Sequence, residues 1–360
     1  MTTATAHPAL NRAQLEVVAG TLRNAGVAVE GPLDAQLIAG GRSNLTYKLT
    51  DGASVWVMRT PPLTGRTPSA HDVAREFKVT AALSQAGYPV PRPVAHRADE
   101  AEIGVPYAIA EFVEGQTIQI RSQLDALDDS VVERISDELV KTLADLHQLD
   151  HVAIGLGDFG RAGGYAQRQL KRWRSQWDIV APTDLADLGH ALAERLTGAV
   201  PVQSRAAVIH GDFRVDNTIL SLGSGSVPRP RVAAVVDWEL STIGDPIADV
   251  AMMCAYRHPA FDLIVGESSA WASARFPGPI NLAHQYEAAG GVRLDHWEFH
   301  LALAYFKIAV IAAGIAHRAR LGAARGPGFD TAGKSVWLYL QLAADALGFK
   351  PPSNSSHDVA

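Results

Sequence analysis

Cysteine is the scarcest residue in this chain. The 360 residues include a single one, Cys254, which lies in the apolar run VAMMCAY. One thiol excludes an internal disulfide, and a chain without disulfides fits a reducing compartment. Because its neighbours offer nothing that would stabilise a thiolate, we expect Cys254 to pack in the core rather than act as a nucleophile.

Charge is also sparse, and it is slightly acidic. Charged residues make up 19% of the chain, and 32 Lys and Arg against 38 Asp and Glu give a formal net charge of −6. Nucleic-acid binders usually carry a basic field, so we expect no nucleic-acid partner. Hydrophobic residues make up 47%, enough for a sizeable core, and the length favours two lobes or domains.

Patterns typical of export or membrane insertion are lacking. The first ten residues, MTTATAHPAL, contain no basic segment followed by an apolar one, so we expect no signal peptide. The most apolar stretch, residues 301–316, is short for a membrane span and is interrupted by Lys307. We therefore predict a buried helix there, no membrane association and a cytoplasmic location.

The first 113 residues or so predict an antiparallel sheet. Residues 44–50, NLTYKLT, alternate between apolar and polar side chains, and Asp51-Gly52 favours a hairpin turn before a strand at Val55–Arg59. Two further strands are predicted in PVPRPVAHR and YAIAEFVEG.

A helix is predicted between these strands, over residues 70–87. Ser69 is a suitable N-cap for it. Val73, Phe77 and Ala81 recur at helical spacing and would form its apolar face.

Beyond residue 113 the pattern is mostly helical. Helices are predicted over residues 131–149 and 163–177, long helices follow from residue 284 to about residue 319, and a last helix covers residues 333–347. Three short strands are predicted between residues 206 and 238. The predicted fold is therefore α+β and two-lobed: residues 1–113 carry the antiparallel sheet and a helix, and residues 114–360 are mainly helical with short strands.

One loop concentrates side chains that could carry chemistry. Residues 208–220 read VIHGDFRVDNTIL and place His210, Asp212 and Asn217 after a strand, and the strand RVAAVVDW ends at Asp237. Oxygen-bearing side chains at strand ends suit a hard cation such as Mg²⁺, and a remaining carboxylate can orient a hydroxyl group. Phosphoryl transfer needs this combination of positioning and charge neutralisation. Taken singly, Asp212 and Asn217 also fit an ordinary turn.

The segments HGDFRVDN and DWELSTIGDPIADVA together resemble the aminoglycoside phosphotransferase family, which has a protein-kinase-like fold. The segments GGRSNLTY, WVMRTPP, SAHDVAREF, FVEGQTI and YFKIAVIAAGIAHR extend the resemblance over nearly the whole chain. The similarity is greatest to kinase-like domains fused to acyl-CoA dehydrogenases. It implies ATP or GTP as the phosphoryl donor and Mg²⁺ as the metal.

The resemblance also implies roles for single residues. Asp212 matches the catalytic base, His210 the residue that supports the catalytic loop, and Asn217 and Asp237 the metal ligands. Asp249 matches an acid that braces the loop. The nucleotide-binding set comprises a phosphate-covering turn, a basic residue with its helical partner, and the connector whose backbone takes the base: Gly40, Gly41, Arg42, Ser43, Asn44, Arg59, Glu76, Glu111, Phe112 and Val113.

Two features depart from protein kinases. The turn GGRSN has fewer glycines than their phosphate-covering loop, and Arg59 stands where they place a lysine. Arginine retains the positive charge and can hold two oxygen atoms at once. Arg59 and Glu76 also admit a simpler interpretation as a surface ion pair, which contributes about 0–1 kcal/mol. Because Arg59 shares a strand face with Val57, we favour the site interpretation.

These observations predict an enzyme that moves the terminal phosphoryl group of ATP or GTP to a hydroxyl group of a small molecule. Acidic, basic and aromatic residues are mixed after Asp249, which favours a hydroxylated acyl or acyl-CoA-like acceptor over a polycationic aminoglycoside. One alternative is a catalytically degenerate kinase fold that binds nucleotide or ligand, and another is a choline-, homoserine- or fructosamine-type kinase. Monomer and homodimer both stay open.

Overall fold

The computed structural model of the chain forms two compact units. It describes residues 9–40, 44–61, 72–223, 229–322 and 326–350. Unit 1 comprises Met1–Gly115, Ile154–Leu156 and Ala233–Ser241, and unit 2 comprises Gln116–Ala153, Gly157–Val232 and Thr242–Ala360. The functional labels attached above to residues 1–113 and 114–360 stay predictions.

Unit 1 is built on a five-stranded antiparallel sheet with the strand order β1-β2-β3-β5-β4. The strands are β1 Asp34–Gly40, β2 Leu45–Thr50, β3 Val55–Thr60, β4 Pro93–Arg97 and β5 Tyr107–Glu111. Buried and partly exposed residues alternate along β2, as predicted. In the turn to β3, the Asp51 carboxylate accepts hydrogen bonds from the N–H groups of Ala53 and Ser54 at 2.9 and 2.7 Å. The predicted hairpin is therefore confirmed.

Two helices accompany this sheet, α1 Arg12–Asn24 and α2 Val73–Gln85. Fully buried apolar side chains from α1 and from the strands form one core, and they include Val18, Leu22, Leu49, Met58 and Ile109. Burying such a side chain stabilises the fold by about 1.5–3 kcal/mol. This core gives the polar groups on the sheet a rigid support.

Helix α2 differs from its prediction at its start and on its buried face. The Asp72 carboxylate caps the helix by accepting a hydrogen bond from the Arg75 N–H at 2.9 Å, and Ser69 lies outside the described residues. The buried side chains of α2 are Val73, Glu76, Val79 and Leu83. Phe77 and Ala81, predicted to be on the apolar face, are partly exposed. The prediction was wrong because a buried carboxylate interrupts the apolar stripe.

Unit 2 is mainly helical. Its helices are α3 Arg121–Asp125, α4 Asp129–Gln148, α5 Tyr165–Val180, α6 Ala186–Thr197, α7 Pro246–Ala255, α8 Asp262–Val265, α9 Pro279–Ala288, α10 Trp297–Arg320 and α11 Val336–Ala346. Further short strands are β6 Ala207–Ile209, β7 Thr218–Ser221, β8 Arg231–Val235, which ends in unit 1, and β9 Thr242–Gly244. β6 and β9 pair in antiparallel fashion. The long helices predicted between residue 284 and about residue 319 are α9, which begins five residues earlier, and α10, and glycines 290 and 291 lie between them.

The longest apolar helix, α10, is a core element. By length and composition alone it could cross a membrane, but 78% of its most apolar 18-residue window is buried inside the structure. Cys254 on α7 is also fully buried, and burial raises the pKa of its thiol. The structure therefore confirms both predictions, a buried helix at residues 301–316 and a core position for Cys254.

Candidate active site

The loop that follows β6 is held by one buried carboxylate. Asp249 on α7 accepts hydrogen bonds from the backbone N–H groups of His210 and Gly211 at 2.7 and 2.8 Å. Burial would raise the pKa of Asp249, but the hydrogen bonds from His147 and from the His210 backbone help to lower it overall. The carboxylate therefore stays ionised and braces the loop, as the resemblance implied.

A hydrogen-bonded chain connects this carboxylate to α4 and α9. His147 Nε2 lies 3.3 Å from Asp249 Oδ2, and His147 Nδ1 lies 2.8 Å from the Tyr286 hydroxyl group. The N–H of Val292 donates to the same hydroxyl oxygen at 3.2 Å. One tautomer satisfies all three contacts: the tyrosine O–H donates to Nδ1, and Nε2–H donates to the carboxylate. His147 is therefore a fully buried core histidine whose two ring nitrogens both have partners.

Within the loop, Asp212 and Asn217 lie side by side. A 3-10 turn over Val215–Asn217 folds the chain back, so that Asn217 Nδ2 donates to the backbone oxygen and Oδ2 of Asp212 at 2.8 and 3.0 Å. The Asp212 N–H donates to His210 Nδ1 at 3.2 Å. Three of the predicted site residues are thus brought together. Because its nitrogen is committed to Asp212, the amide oxygen of Asn217 is the atom suited to a cation.

Arg214, which the sequence reasoning did not single out, completes this cluster. Its Nε and Nη2 donate to the two carboxylate oxygens of Asp212 at 3.2 and 3.0 Å, and its Nη1 lies 2.9 Å from Asp216. The guanidinium carbon is 5.0 Å from the ring centroids of both Tyr256 and Phe261. The sequence signal that could have indicated this contact is the position of Arg214, a cation two residues after the candidate catalytic acid Asp212.

The electrostatics of this cluster keep Asp212 ionised. Burial would raise the pKa of Asp212, but the charge and hydrogen bonds of Arg214 outweigh it, and the pKa lies below its usual value. A two-pronged contact also restricts the carboxylate to one orientation. The group is thereby prepared to accept a hydrogen bond from a hydroxyl group.

A second cluster forms within unit 1, around Arg59 on β3. Its Nη1 lies 3.0 Å from Glu76 Oε2, and its Nη2 donates to Asp237 Oδ1 at 3.0 Å. Asn44, at the start of β2, donates to Glu76 Oε1 at 2.8 Å. The side chains of Arg59 and Glu76 are 25% and 9% exposed, so the pair is not an ordinary surface contact.

Burial disfavours the charged forms of both Glu76 and Arg59 in this second cluster. It raises the pKa of Glu76 to about 7, even though Arg59 and Asn44 favour the ionised form, and the negative charges of Asp237 and Glu239 add to the rise. For Arg59, burial opposes the charge, but Glu76 and Asp237 raise its pKa overall. Arg59 therefore stays cationic while its helical partner titrates near neutral pH.

Asp237 has an unusual backbone. Its φ and ψ of 66° and 59° lie in the left-handed region, which a non-glycine residue adopts at a cost of about 1–2 kcal/mol. In the described part of the chain, His296 is the other non-glycine residue with positive φ. Such strain is concentrated at functional positions, and here it points the Asp237 carboxylate toward Arg59.

Four of the other predicted nucleotide-binding residues are described by the structure, and none of them is bonded to Arg59 or Glu76 among the contacts of the described residues. Glu111 ends β5, and its carboxylate pairs with Arg92. The N–H of Phe112 donates to the Val55 oxygen at 3.4 Å, and Val113 follows it in the connector. Gly40 ends β1, whereas Gly41, Arg42 and Ser43 lie outside the described residues.

A preformed metal cluster is not found among the residues described: they contain no group of three or more His, Cys, Asp or Glu side chains arranged to hold an ion. The donors available are hard oxygens, the Asn217 amide in unit 2 and the Asp237 carboxylate in unit 1. Such donors fit Mg²⁺, which keeps several waters and takes further oxygens from substrate phosphates. The chemistry of the residues is therefore compatible with the implied metal.

Sequence comparison places this chain among phosphotransferases. The sequence model of the APH phosphotransferase enzyme family matches residues 34–302. Human acyl-CoA dehydrogenase family member 11 is 34% identical over 302 residues, which cover 82% of this chain and 38% of that protein. Mouse acyl-CoA dehydrogenase family member 10 is 33% identical over 319 residues, which cover 88% of this chain and 29% of that protein. The chain thus spans well under half the length of these relatives.

Comparison with solved structures gives the same family as the sequence comparison. A solved Ralstonia eutropha jmp134 protein, assigned to the aminoglycoside phosphotransferases, is 30% identical with a TM-score of 0.77, and the match covers 92% of this chain and 98% of that one. The GDP and kanamycin complex of APH(2'')-IIIa is 17% identical with a TM-score of 0.59, covering 91% and 99% of the two chains, and shows the shared fold. With an antiparallel sheet in its N-terminal part and a helical C-terminal part, this chain belongs to the APH phosphotransferase enzyme family.

Proposed function

We propose that this protein transfers the terminal phosphoryl group of ATP or GTP to a hydroxyl group of a small molecule. The observation that carries the proposal is the state of Asp212, which is ionised and fixed from two sides by Arg214 and Asn217. Asp212 accepts the hydrogen bond of the acceptor hydroxyl and orients its oxygen toward the phosphorus. Positioning of this kind supplies much of the catalysis in phosphoryl transfer.

The nucleotide is held by separate groups. Asn217 and Asp237 offer oxygen ligands to Mg²⁺, which neutralises charge on the phosphates when bound. Arg59, positioned by Glu76, offers two donors to phosphate oxygens. The connector Glu111 to Val113 offers backbone groups to the base.

The acceptor is proposed to be a hydroxylated acyl or acyl-CoA-like molecule. The relatives that share 33–34% identity are acyl-CoA dehydrogenase family members. An acyl acceptor for this chain is consistent with the names of these relatives. The aromatic side chains Trp271, Phe276 and Tyr286 are buried core residues of unit 2, and Arg257 and Arg275 are bonded to backbone oxygens nearby. This region offers no clustered acidic wall for a polycation among its described residues.

Asp212→Asn tests the proposal. The amide keeps the size of the side chain but cannot act as an anionic acceptor for the hydroxyl proton. Transfer from radiolabelled ATP to a panel of hydroxylated acyl acceptors should fall on the order of 10²- to 10⁴-fold, the usual contribution of a positioned acid or base. Nucleotide binding, measured by calorimetry, should persist. Full activity in the variant would contradict the assignment of Asp212.

A second candidate, a nucleotide-binding protein without transfer activity, is favoured by one observation. Arg59 is bonded to Asp237 as well as to Glu76, which occupies one oxygen of a proposed metal ligand. If this contact persists when nucleotide binds, Asp237 is less able to hold a metal. Mg²⁺-dependent binding of ATP without transfer to any acceptor, in the wild-type protein, would support this candidate.

A further inference from the structure

A cavity lies in unit 2 between the segment that precedes β6 and the first turns of α7 and α10. Its volume is about 170 Å³, which admits roughly five or six water-sized groups. Apolar and polar side chains share its walls, and they include Val202, Ser204, Asp245, Ile247, Asp295 and His300. The space suits a small organic molecule and is too small for a nucleotide.

This cavity is remote from the catalytic loop. β6 begins beside the end of β9, and its far end leads into the loop that carries Asp212. Asp245 directly follows β9, so it lies at the end of the strand pair away from Asp212. The eleven positions from Asp245 to Tyr256 along α7 correspond to about 16 Å of helix. Tyr256 is the residue whose ring contacts Arg214, so the cavity and the catalytic loop are at opposite ends of α7.

One carboxylate oxygen in the cavity has no hydrogen-bond partner among the described residues. Asp245 caps α7, and its Oδ1 accepts a hydrogen bond from the Ile247 N–H at 3.0 Å. The closest basic atom to its Oδ2 is His300 Nε2, at 3.8 Å, which is too far for a hydrogen bond. The side chains of Asp245 and His300 are only 5% and 2% exposed. Asp245 thus brings a buried, unpartnered oxygen to the cavity wall.

Within the described part of the chain, no cation neutralises this carboxylate. Burial and the charge of His296 lower the pKa of His300 to about 4, so that His300 is neutral at neutral pH. Its Nδ1 also lacks a partner among the residues described. The other acid on the cavity wall, Asp295, is paired with Arg293 at 2.8 Å. Asp245 is therefore the acid of this cavity whose charge is unmatched.

The capping of α7 does not account for that charge. Asparagine caps a helix about as well as aspartate, because one side-chain oxygen is enough to accept the N–H. A helix N-terminus favours a negative charge only modestly, whereas a buried charge without an opposite charge is destabilising. A cation that occupies the cavity would explain why the residue is an aspartate.

We propose that the cavity binds the ammonium group of a small primary amine through Asp245 Oδ2. The ammonium donates to this oxygen, and the Ser204 hydroxyl is a second acceptor on the wall. A short apolar body covers Val202, which is otherwise 92% exposed, and contacts Ile247. A metal ion fits less well, because the described residues contain no group of three or more His, Cys, Asp or Glu side chains that could hold one. The inference goes beyond the proposed function and does not depend on it.

The test is calorimetric binding of n-butylammonium chloride and of 1-butanol, its neutral counterpart of similar shape, to the full chain at constant ionic strength. The amine should bind saturably, and the alcohol roughly 10- to 100-fold more weakly, as expected when a charged hydrogen bond is lost. Asp245→Asn should weaken binding of the amine by a similar factor. The amide retains an oxygen that can cap α7, so this variant should fold. Glu133→Gln removes an exposed carboxylate from α4 and should bind the amine as the wild-type protein does.

Three results would overturn the inference. The first is equal affinity of the wild-type protein for amine and alcohol, or no saturable binding of the amine, and this comparison needs no variant. The second is unchanged binding of the amine by an Asp245→Asn protein that retains its thermal stability. The third is Asp245-dependent binding of Ca²⁺ or Zn²⁺ that is tighter than binding of the amine, which would assign the cavity to a metal ion.

The proposed function can fail independently of this site. Asp212→Asn should bind n-butylammonium with wild-type affinity, because Asp212 lies at the other end of α7. If the amine binds through Asp245 but no acceptor is phosphorylated, the inference stands and the proposed function fails. If an acceptor is phosphorylated but the amine does not bind, the inference is wrong and the proposed function stands.

Discussion

Among single residues, Arg214 shows how a side chain can shape a site without reacting. It joins the two oxygens of Asp212 and also pairs with Asp216, against the rings of Tyr256 and Phe261. A charge pair this enclosed keeps each partner ionised, and removal of one partner leaves the other uncompensated. Arg214 therefore sets both the orientation of Asp212 and its protonation.

Arg214→Gln should move the acid limb of the pH profile. Without the guanidinium charge, burial dominates and raises the pKa of Asp212, so that kcat/KM begins to fall at a higher pH than in the wild-type protein. At neutral pH the loss should be on the order of 10²-fold. The measurement is kcat/KM from pH 5 to pH 9 with one acceptor.

Arg214→Lys is the matched variant, because it retains the charge but not the two-pronged geometry. We expect its acid limb to stay closer to that of the wild-type protein while kcat falls. Identical acid limbs in all three proteins would show that Arg214 does not control the protonation of Asp212.

The sequence singles out Asp212, Asn217 and Asp237 as candidate site residues because their order and spacing are distinctive, and their roles stay predictions. It did not single out Arg214, although this residue lies in the same loop two positions after Asp212. It did not identify the chain from Tyr286 through His147 to Asp249, because these contacts join residues far apart in sequence. Spacing within one loop can be read from the sequence, but side-chain partners drawn from several helices cannot.

Among the elements, α2 illustrates a conflict between stability and function. Its buried face carries Glu76, which holds Arg59 but is raised to a pKa of about 7 by burial. An apolar residue at position 76 would make the buried face of α2 apolar throughout. Because the residue there is a glutamate, hydrophobic periodicity predicted the wrong buried face for this helix. The helix tolerates a charged group there because that group positions the arginine.

Glu76 should make stability depend on pH. Its ordinary pKa of 4.5 rises to about 7 in the folded chain, so between these values the folded state binds more protons than the unfolded state. The free energy of unfolding should therefore fall as pH rises from about 4.5 to about 7, by about 3 kcal/mol in total.

Glu76→Gln tests this dependence, because the amide resembles the protonated acid at every pH. Denaturant unfolding at pH 5, 6, 7 and 8 should show the variant gaining stability relative to the wild-type protein as pH rises. Glu16→Gln, which alters an exposed carboxylate on α1, serves as the control and should give a difference that does not vary with pH. A similarly constant difference for Glu76→Gln would rule out a pKa near 7.

For the whole molecule, the sequence predicted the α+β class, the antiparallel N-terminal sheet and the helical C-terminal part. Alternation of polar and apolar residues in β2 and the Asp51-Gly52 turn are local signals, and they predicted local structure well. The α2 cap was misjudged, because Ser69 and Asp72 are both residue types that suit an N-cap. The roles of the candidate site residues depend on bound ligands, which local sequence patterns do not predict.

Binding of nucleotide should therefore be tested on the intact chain by its effect on stability. A ligand that binds only the folded state at 100 times its Kd raises the free energy of unfolding by about 2.7 kcal/mol. We expect ATP with Mg²⁺ to raise Tm accordingly, and chelation of the metal to remove most of that rise. Asp212→Asn should retain the full rise, because Asp212 is assigned to the acceptor hydroxyl rather than to the nucleotide.

Asn217→Ala and Asp237→Asn should lose most of the Mg²⁺-dependent rise in Tm, since each removes one proposed oxygen ligand. Asp145→Asn, on the exposed face of α4, removes a carboxylate elsewhere and should behave as the wild-type protein does. Loss in only one of the two variants would assign the ion to that side chain alone. An unchanged rise in both would show that the nucleotide binds without either residue, and the metal assignment would then be wrong even if Asp212 proved essential for transfer.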